Sequence, residues 1–214
     1  YPQFGSINYE SNHGHNTYHG GTLRVEKRMS SGFMMNAFYT LSKNLAGSVG
    51  PDYYNRRLDK GRTDYDVRHR FVSVLTYELP WGKGRRFMNT TGWRNRAFGG
   101  WDLAWTQTLQ SGPPVTVSYG GSPYHYLGGS RPNMVVPNEQ GQVKGWQIGE
   151  NRYPFSAQNR YYNFDAFQYP AAFTLGALGR NTFEAPGMRW QQLSLSKMFS
   201  VGERVKFEIR WDVN

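Results

Sequence analysis

Apolar and polar residues alternate at every second position in several stretches of the chain, and this period of two predicts β-strands. The alternation is clearest near the C-terminus, where Val205, Phe207 and Ile209 are separated by charged residues. The same pattern predicts about seven strands, near Phe4–Glu10, Thr17–Met29, Phe33–Lys43, His69–Leu79, Trp101–Gln110, Arg189–Phe199 and Arg204–Val213. Several run for about 10 residues, the length that a tilted strand needs to cross a bilayer.

The connections between these strands alternate between short and long. We predict tight turns near residues 30–32 and 201–203, and long polar loops near residues 44–67 and 111–186. Outer-membrane barrels have short periplasmic turns and long external loops, whereas a compact soluble domain rarely holds so long a connection. We therefore predict an all-β fold, an antiparallel up-and-down meander that is a segment of a large outer-membrane β-barrel. The whole chain, residues 1–214, is expected to form one partial barrel domain.

A repeated pattern places a lysine on the apolar face of two strands. Residues 23–32 (LRVEKRMSSG) and 193–202 (LSLSKMFSVG) share the order apolar, polar, apolar, polar, Lys, x, apolar, Ser, x, Gly. Near a bilayer surface, Lys27 and Lys197 could extend their charges to the headgroups while their stems stay in hydrocarbon. The alternative is an edge-strand lysine that discourages aggregation.

Average composition hides this alternation. The mean hydropathy of −0.71 resembles that of a soluble protein, but lipid-facing residues at every second position keep such averages polar. Aromatic residues near strand ends predict interfacial girdles formed by Tyr39, Tyr77, Trp81, Trp101, Trp190, Phe199 and Trp211. Alternation alone does not decide whether the apolar face meets lipid or protein. A secreted soluble β-sandwich that binds carbohydrate through a Tyr-rich loop therefore stays open as an alternative.

Composition also excludes several classes. No apolar run reaches about 18 residues, which excludes a helical membrane span. The absence of cysteine excludes disulfides and thiolate metal sites. The net charge is +10, but the basic residues are spread along the chain, so we do not expect a nucleic-acid partner. No nucleophile elbow or Ser-His-Asp order is present, so we expect neither enzymatic activity nor a cofactor.

Sequence blocks spread over nearly the whole chain resemble one family. They are YPQFGSI at 1–7, LRVEKRMSSGFMMNAFYTLSKNL at 23–45, DYDVRHRF at 64–71, YELPWGKGR at 77–85, GGW at 99–101, QSGP at 110–113, GRN at 179–181 and PG at 186–187. In this order they resemble the C-terminal barrel of Oar-like TonB-dependent receptors. The resemblance implies a barrel of about 22 strands that is filled by a plug domain. It also implies that an inner-membrane energy-transducing complex drives transport.

The resemblance sets the expected function. A plug domain and an energy-coupling segment are not recognisable in this chain, and about seven strands cannot close a wide barrel, so we expect a fragment. We expect it to line the uptake of a bulky, unidentified nutrient across the outer membrane of a Gram-negative-type bacterium. Its expected partners are outer-membrane lipid and, through the absent plug, the energy-transducing complex. The side chains expected to face the lumen are Arg24, Glu26, Arg28, Lys206, Glu208, Arg210 and Asp212.

Three further groups carry candidate chemistry. His13, His15 and His19 have a spacing that could hold a metal, but we interpret them as part of a solvated loop. Asp59, Asp64 and Asp66 lie among basic residues, which favours an ion-paired loop base over acid–base catalysis. The alternative is contact with a ligand. The candidates for ligand contact in the second long loop are Tyr119, Tyr124, Tyr126, Tyr161 and Tyr162, with aromatic packing inside the loop as the alternative.

One basic glycine-rich stretch, residues 82–86 (GKGRR), superficially resembles a phosphate-binding loop. It lacks the required spacing and a following helix, so we predict a turn. Contact of its basic residues with lipid phosphates is the alternative.

Overall fold

The computed structural model describes residues 12, 14–47, 55–89, 91–119, 131–142, 162–171, 174–201 and 205–214. In that part of the chain the strands are β1 His15–Ser30, β2 Phe33–Gly47, β3 Gly61–Arg62, β4 His69–Glu78, β5 Trp101–Gln110, β6 Pro114–Val115, β7 Asn133–Met134, β8 Phe167–Gln168, β9 Phe183–Glu184, β10 Met188–Val201 and β11 Val205–Val213. The helix α1 spans Trp93–Phe98, and short 3-10 turns span Arg56–Asp59, Asn138–Gln140 and Phe164–Ala166.

The long strands form one sheet in the order β1-β2-β4-β5-β10-β11, and β3 pairs with the end of β2. Long strands that follow one another in the chain are neighbours in the sheet, so the predicted up-and-down meander is confirmed. The strand pairs β2–β4, β4–β5, β5–β10 and β10–β11 are all antiparallel. Six predicted strands occur within a few residues of their expected bounds. The seventh, Phe4–Glu10, lies outside the described residues.

The chain divides into two compact units. The sheet unit contains Gly20–Ser42, Val67–Gly112 and Pro186–Asn214, and the loop unit contains Tyr1–His19, Lys43–Asp66 and Pro113–Ala185. Two-stranded pairs occur in the loop unit, where β6 pairs with β9 and β7 pairs with β8. The expectation of a single barrel domain over residues 1–214 stays a prediction.

A tight turn at Ser31 and Gly32 joins β1 to β2. Ser31 and Gly32 have φ values of 53° and 77°. Two successive positive φ values are typical of the type I′ turn, whose twist matches that of the flanking strands. A Cβ at Gly32 would also lie 3.2 Å from Cβ of Glu78. Glycine therefore meets two requirements here, the positive φ and the close approach of Glu78. The predicted tight turn at 30–32 is confirmed, whereas residues 202–204 are not described.

The register places the alternating side chains on two distinct faces of the sheet. Directly opposed residues share a face. The face that we call apolar carries Phe33, Met35, Tyr39, Phe71, Leu75, Tyr77, Trp101, Leu103, Trp105, Leu193, Leu195, Phe199, Phe207, Ile209, Trp211 and Val213, with a few polar residues such as Ser73 and Gln107 among them. The polar face carries Thr40, Arg70, Thr76, Glu78, Asp102, Thr106, Thr108, Gln192, Ser194, Ser196, Lys206, Glu208, Arg210 and Asp212.

One girdle residue is not on the apolar face. Trp190 is directly opposite Thr108 of β5, which lies on the polar face. Trp190 therefore lies on the polar face as well. Trp81 lies outside the strands of the sheet. The other predicted girdle residues, Tyr39, Tyr77, Trp101, Phe199 and Trp211, lie on the apolar face as predicted.

Burial differs sharply between the two units. Among the described residues, the buried hydrophobic side chains are Tyr162, Ala166, Leu178 and Phe183, and all four belong to the loop unit. In the sheet unit, apolar-face residues of the outer strands stay exposed, for example Phe207 at 57% and Trp211 at 66%. A soluble sandwich would bury these side chains against a second sheet. No described helix combines the length and apolarity that crossing a membrane would require.

Candidate functional site: the polar sheet face and the loop unit

The residues expected to face a lumen lie on one face of the sheet. The guanidinium of Arg24 on β1 lies 5.3 Å from the ring centre of Phe38, which is opposite Val72 on the polar face. The Thr22 and Thr40 hydroxyls are hydrogen-bonded at 3.0 Å on the same face. On β11, Glu208, Arg210 and Asp212 are opposite Met198, Ser196 and Ser194. The structure thus brings the predicted residues of two distant strands to the same side.

Charges on this face pair mainly within a strand. Arg24 donates to Glu26 at 2.8 Å, and Nε of Arg210 donates to Asp212 at 2.9 Å. Both pairs link residues two positions apart on the same strand. Ser194 is the cross-strand partner, because its hydroxyl donates to Asp212 at 2.6 Å and accepts from Arg210 at 2.9 Å. Exposed pairs of this kind are screened by solvent, so they indicate a hydrated surface and not a stabilising core.

Asp66 anchors the base of the loop unit. Its side chain is fully buried and pairs with Nε of Arg62 at 2.6 Å. It also accepts a hydrogen bond from the backbone N–H of Asn44 at 2.7 Å. Arg62 extends the network to Glu184 at 2.5 Å. A buried carboxylate needs such partners, because an unpaired buried charge is strongly destabilising.

Asp59 and Asp64 share a second cation, Arg180. The Arg180 guanidinium lies 3.5 Å from Asp59 and 3.3 Å from Asp64. Arg131 lies 3.8 Å from Asp59 and donates to the Leu58 carbonyl at 2.8 Å. The hydrogen bond from Asn181, together with Arg180, holds the pKa of the Asp64 carboxyl below its ordinary value against the opposing effect of burial. An acid held ionised in this way is unsuited to proton donation.

The expectation of an ion-paired loop base is therefore confirmed for all three aspartates. The partners were only partly foreseen, since Arg131 and Arg180 lie far away in sequence. Arg180 lies in the GRN block at 179–181, which contributed to the family resemblance. The sequence did not indicate that this arginine pairs with the aspartates. A close approach of backbones accompanies the pairing, because a Cβ on Gly61 would stand 2.6 Å from the Arg180 carbonyl oxygen.

The tyrosines of the long loop have different environments. Tyr162 is buried with Leu178 and Phe183, and its hydroxyl donates to the Glu184 carbonyl at 2.9 Å. For Tyr162 the structure shows the packing alternative in place of an accessible ligand contact. Tyr119 packs edge-on against Tyr169, with ring centres 4.9 Å apart, and both line a cleft of about 200 Å³ with Phe164 and Phe167. Tyr124, Tyr126 and Tyr161 lie outside the described residues.

Two of the three histidines lie in a strand and not in a loop. His15 and His19 belong to β1 and are exposed, which corrects the interpretation of a solvated loop for these two. His13 is outside the described residues. Among the residues that are described, no group of three or more His, Asp or Glu side chains is arranged to hold a metal ion.

Comparison with known families decides what this sheet is. The family described as "Outer membrane beta barrel domain" matches residues 1–214. The chain belongs to this outer-membrane β-barrel family. No curated protein matches the chain, and no solved structure matches it.

Membership gives the barrel a cellular location and explains its exposed apolar face. The protein resides in the outer membrane, and its sheet of six long strands is a segment of an outer-membrane barrel. The soluble secreted sandwich loses its support, because the family and the unburied sheet both point to a membrane protein. Membrane barrels alternate apolar and polar positions along each strand, and β11 of this sheet shows the same alternation without interruption.

The two lysines of the barrel's repeated pattern lie on the apolar face, as predicted. Lys27 lies 5.1 Å from the Phe33 ring centre, and Lys197 lies 4.9 Å from that of Phe199. Lys197 is on an interior strand, so the edge-strand explanation does not apply to it. Its ammonium does not extend to solvent, because Lys197 is only 3% exposed and donates to the Arg96 and Ala97 carbonyls near the end of α1. The headgroup expectation is therefore wrong for Lys197.

Proposed function

We propose that this barrel lines the energy-dependent uptake of a bulky nutrient, as part of a TonB-dependent receptor similar to the Oar-like group. The observation that carries the proposal is the segregation of side chains across six hydrogen-bonded strands. Most of the charged and hydroxyl side chains lie on one face, together with some apolar ones such as Val72 and Val74, and aromatic and aliphatic side chains dominate the other. In a membrane barrel the charged face lines the aqueous lumen, so Arg24, Glu26, Arg28 and the four charged residues of β11 would border the path.

The loop unit supplies the point of first contact for the nutrient. Loops carry binding functions more often than the scaffold that holds them. The cleft beside Tyr119 and Tyr169 offers aromatic edges and faces, which suit sugar rings and other flat or apolar groups. Tyr119 is one of the tyrosines predicted to contact a ligand, and it lines this cleft. We propose that Tyr119 contacts the nutrient.

Cysteine labelling tests the lumen assignment, because this chain contains no native cysteine. Single cysteines replace Arg24 or Glu208 on the polar face, and Val25 or Phe207 serve as adjacent controls on the apolar face. In intact outer membranes we expect a membrane-impermeant maleimide to label the first two and spare the controls. Labelling of the controls in preference to Arg24→Cys and Glu208→Cys would refute the lumen assignment.

Energy dependence tests transport itself. Cells with and without the intact gene product receive size-graded fluorescent maltodextrins and, separately, fluorescent oligopeptides. We expect uptake of at least one class to depend on the protein and to stop when a protonophore collapses the inner-membrane gradient. Protein-dependent uptake that survives the protonophore would identify a passive pore. No difference for either class would count against nutrient uptake of these chemistries.

A further inference from the structure

The connection between β4 and β5, residues 79–100, carries a strong unbalanced charge. It contains five basic residues and no acidic residue, and we call it the basic connection. The basic residues are Lys83, Arg85, Arg86, Arg94 and Arg96. Arg85 pairs with Glu78 at 2.7 Å, at the end of β4. Lys83, Arg86 and Arg94 are exposed and extend the positive surface beyond that pair.

The basic connection lies at the end of the sheet where the tight turn is. The Glu78 N–H donates to the Gly32 carbonyl at 2.7 Å, and the Leu79 N–H donates to the Trp101 carbonyl at 2.8 Å. The connection therefore leaves the sheet beside the Ser31-Gly32 turn. Short turns of outer-membrane barrels face the periplasm. The end of the sheet that holds the Ser31-Gly32 turn and the basic connection is therefore assigned to the periplasmic rim of the barrel.

Exposed aromatic side chains accompany the charges. Trp93 is 70% exposed, and Phe87 and Phe98 are about half exposed. The guanidinium of Arg94 lies 5.6 Å from the Trp93 ring centre, and that of Arg86 lies 5.4 Å from the Phe87 ring centre. Aromatic rings beside cations are typical of segments at a membrane–water interface, where the rings enter the headgroup layer and the cations remain wet.

The connection is a built structure with a defined concave surface. The Asn95 side chain accepts a hydrogen bond from the Lys83 N–H at 2.6 Å, and the Asn89 side chain accepts one from the Gly84 N–H at 2.9 Å. Lys197 ties α1 to β10 through the Arg96 and Ala97 carbonyls. Between these elements lies a cleft of about 700 Å³, whose lining includes Trp81, Lys83, Arg85, Arg96 and Ser200.

We propose that the basic connection is a binding site for the phosphate headgroup of an anionic phospholipid at the periplasmic rim of the barrel. Lys83, Arg86 and Arg94 would attract the phosphate, while Trp93 and Phe98 would contact the adjoining glycerol and acyl region. Two observations select a lipid as occupant: the charge is of one sign only, and the apolar sheet face of a membrane protein begins directly at Trp101. The proposal rests on the outer-membrane location and does not require nutrient transport.

The test measures lipid preference in bilayers. The intact protein is reconstituted into phosphatidylcholine vesicles that contain brominated phosphatidylglycerol or, in matched samples, brominated phosphatidylcholine. Bromine quenches tryptophan fluorescence, and the variants leave all seven tryptophans of the chain unchanged. We expect the wild type to be quenched preferentially by phosphatidylglycerol. The triple variant Lys83→Gln, Arg86→Gln, Arg94→Gln should lose about tenfold or more of that preference, since each cation near an anionic surface contributes several-fold.

A control of equal charge separates this site from general electrostatics. Lys43→Gln, Arg57→Gln and Lys60→Gln remove three exposed cations from the loop unit. This variant should keep the wild-type preference, and heat-shift electrophoresis confirms that both variants are folded. Equal loss in the two triple variants would overturn the proposal. Absence of any phosphatidylglycerol preference in the wild type would also overturn it, and would leave the basic connection to a protein or nucleic-acid partner.

Discussion

Asn181 connects three separate stretches of the loop unit through one side chain and one backbone amide. Its side-chain amide donates to the Arg62 carbonyl and to Asp64, both at 2.7 Å. Its backbone N–H donates to the Thr116 hydroxyl at 2.9 Å. The residue has a φ of 53°, a conformation that asparagine tolerates better than most residues. Position 181 therefore requires a residue that tolerates a positive φ and whose side chain donates hydrogen bonds.

The Asp64 carboxyl should report the loss of Asn181. In Asn181→Ala we expect the pKa of Asp64 to rise toward its ordinary value, because the hydrogen bond from Asn181 is the largest cause of its depression. NMR titration of the carboxyl measures this directly. Asn138→Ala, an exposed asparagine in the same unit, should leave the titration unchanged. An unchanged Asp64 pKa in Asn181→Ala would contradict the assignment.

The same shift gives the loop unit a defined pH dependence. A depressed carboxyl pKa stabilises the folded state above the ordinary pKa of about 3.9, and this contribution is lost as the pH falls. The effect is small because the Asp64 side chain is 65% exposed and therefore screened by solvent. We expect the wild-type loop unit to become more sensitive to protease in acid, and Asn181→Ala to show a weaker change.

At the scale of secondary-structure elements, the two copies of the lysine pattern diverge. Lys27 and Lys197 occupy matching positions before a turn, and each lies over an aromatic ring of the apolar face. Lys27 is exposed, whereas Lys197 is covered and holds α1 by its terminal carbonyls. A cation at the C-terminal end of a helix satisfies carbonyls that have no partner within the helix. The same local pattern therefore has two structural roles.

Replacing each lysine by methionine separates these roles. Lys197→Met removes two charge-assisted hydrogen bonds to α1, so amide hydrogen exchange in Trp93–Phe98 should accelerate by about tenfold or more. Lys27→Met is the matched control, because it removes a lysine from the same pattern position on another strand. Exchange in α1 should not change in this control. Equal exchange in wild type and Lys197→Met would show that the lysine does not hold the helix.

At the scale of the whole molecule, the argument depends on which sheet face meets lipid. Every long strand presents apolar side chains to the same side, and the sheet unit buries none of them among its described residues. A bilayer supplies the apolar surroundings that a second protein layer would supply in a soluble fold. Outer-membrane membership is consistent with that arrangement.

Arginine substitutions on neighbouring positions of β11 should therefore differ in cost. Ile209→Arg places a charge on the apolar face and should destabilise the barrel by about 2–4 kcal/mol if the site is near mid-bilayer. Glu208→Arg changes the polar face and should cost little. Reversible urea unfolding in lipid vesicles measures both values. Similar costs at the two positions would show that the apolar face does not meet hydrocarbon.

The sequence by itself determined the strands, their faces and the tight turn at Ser31-Gly32. These features are local, because side chains alternate sides along any extended strand and a tight turn depends on the few residues that form it. The fold class and most girdle positions followed from this alternation. Trp190 was misplaced because its position near a strand end was considered without its register.

Only the tertiary structure decided the features that join residues distant in sequence. The pairing of Asp59 and Asp64 with Arg180 and the attachment of Lys197 to α1 depend on how loops return over long stretches of chain. Charges near one another in sequence favour ion pairing in general, but Coulomb attraction does not select a partner until packing fixes the distances. The burial of Tyr162 among Leu178 and Phe183 was decided in the same way, because no local periodicity distinguishes a packed loop tyrosine from an exposed one.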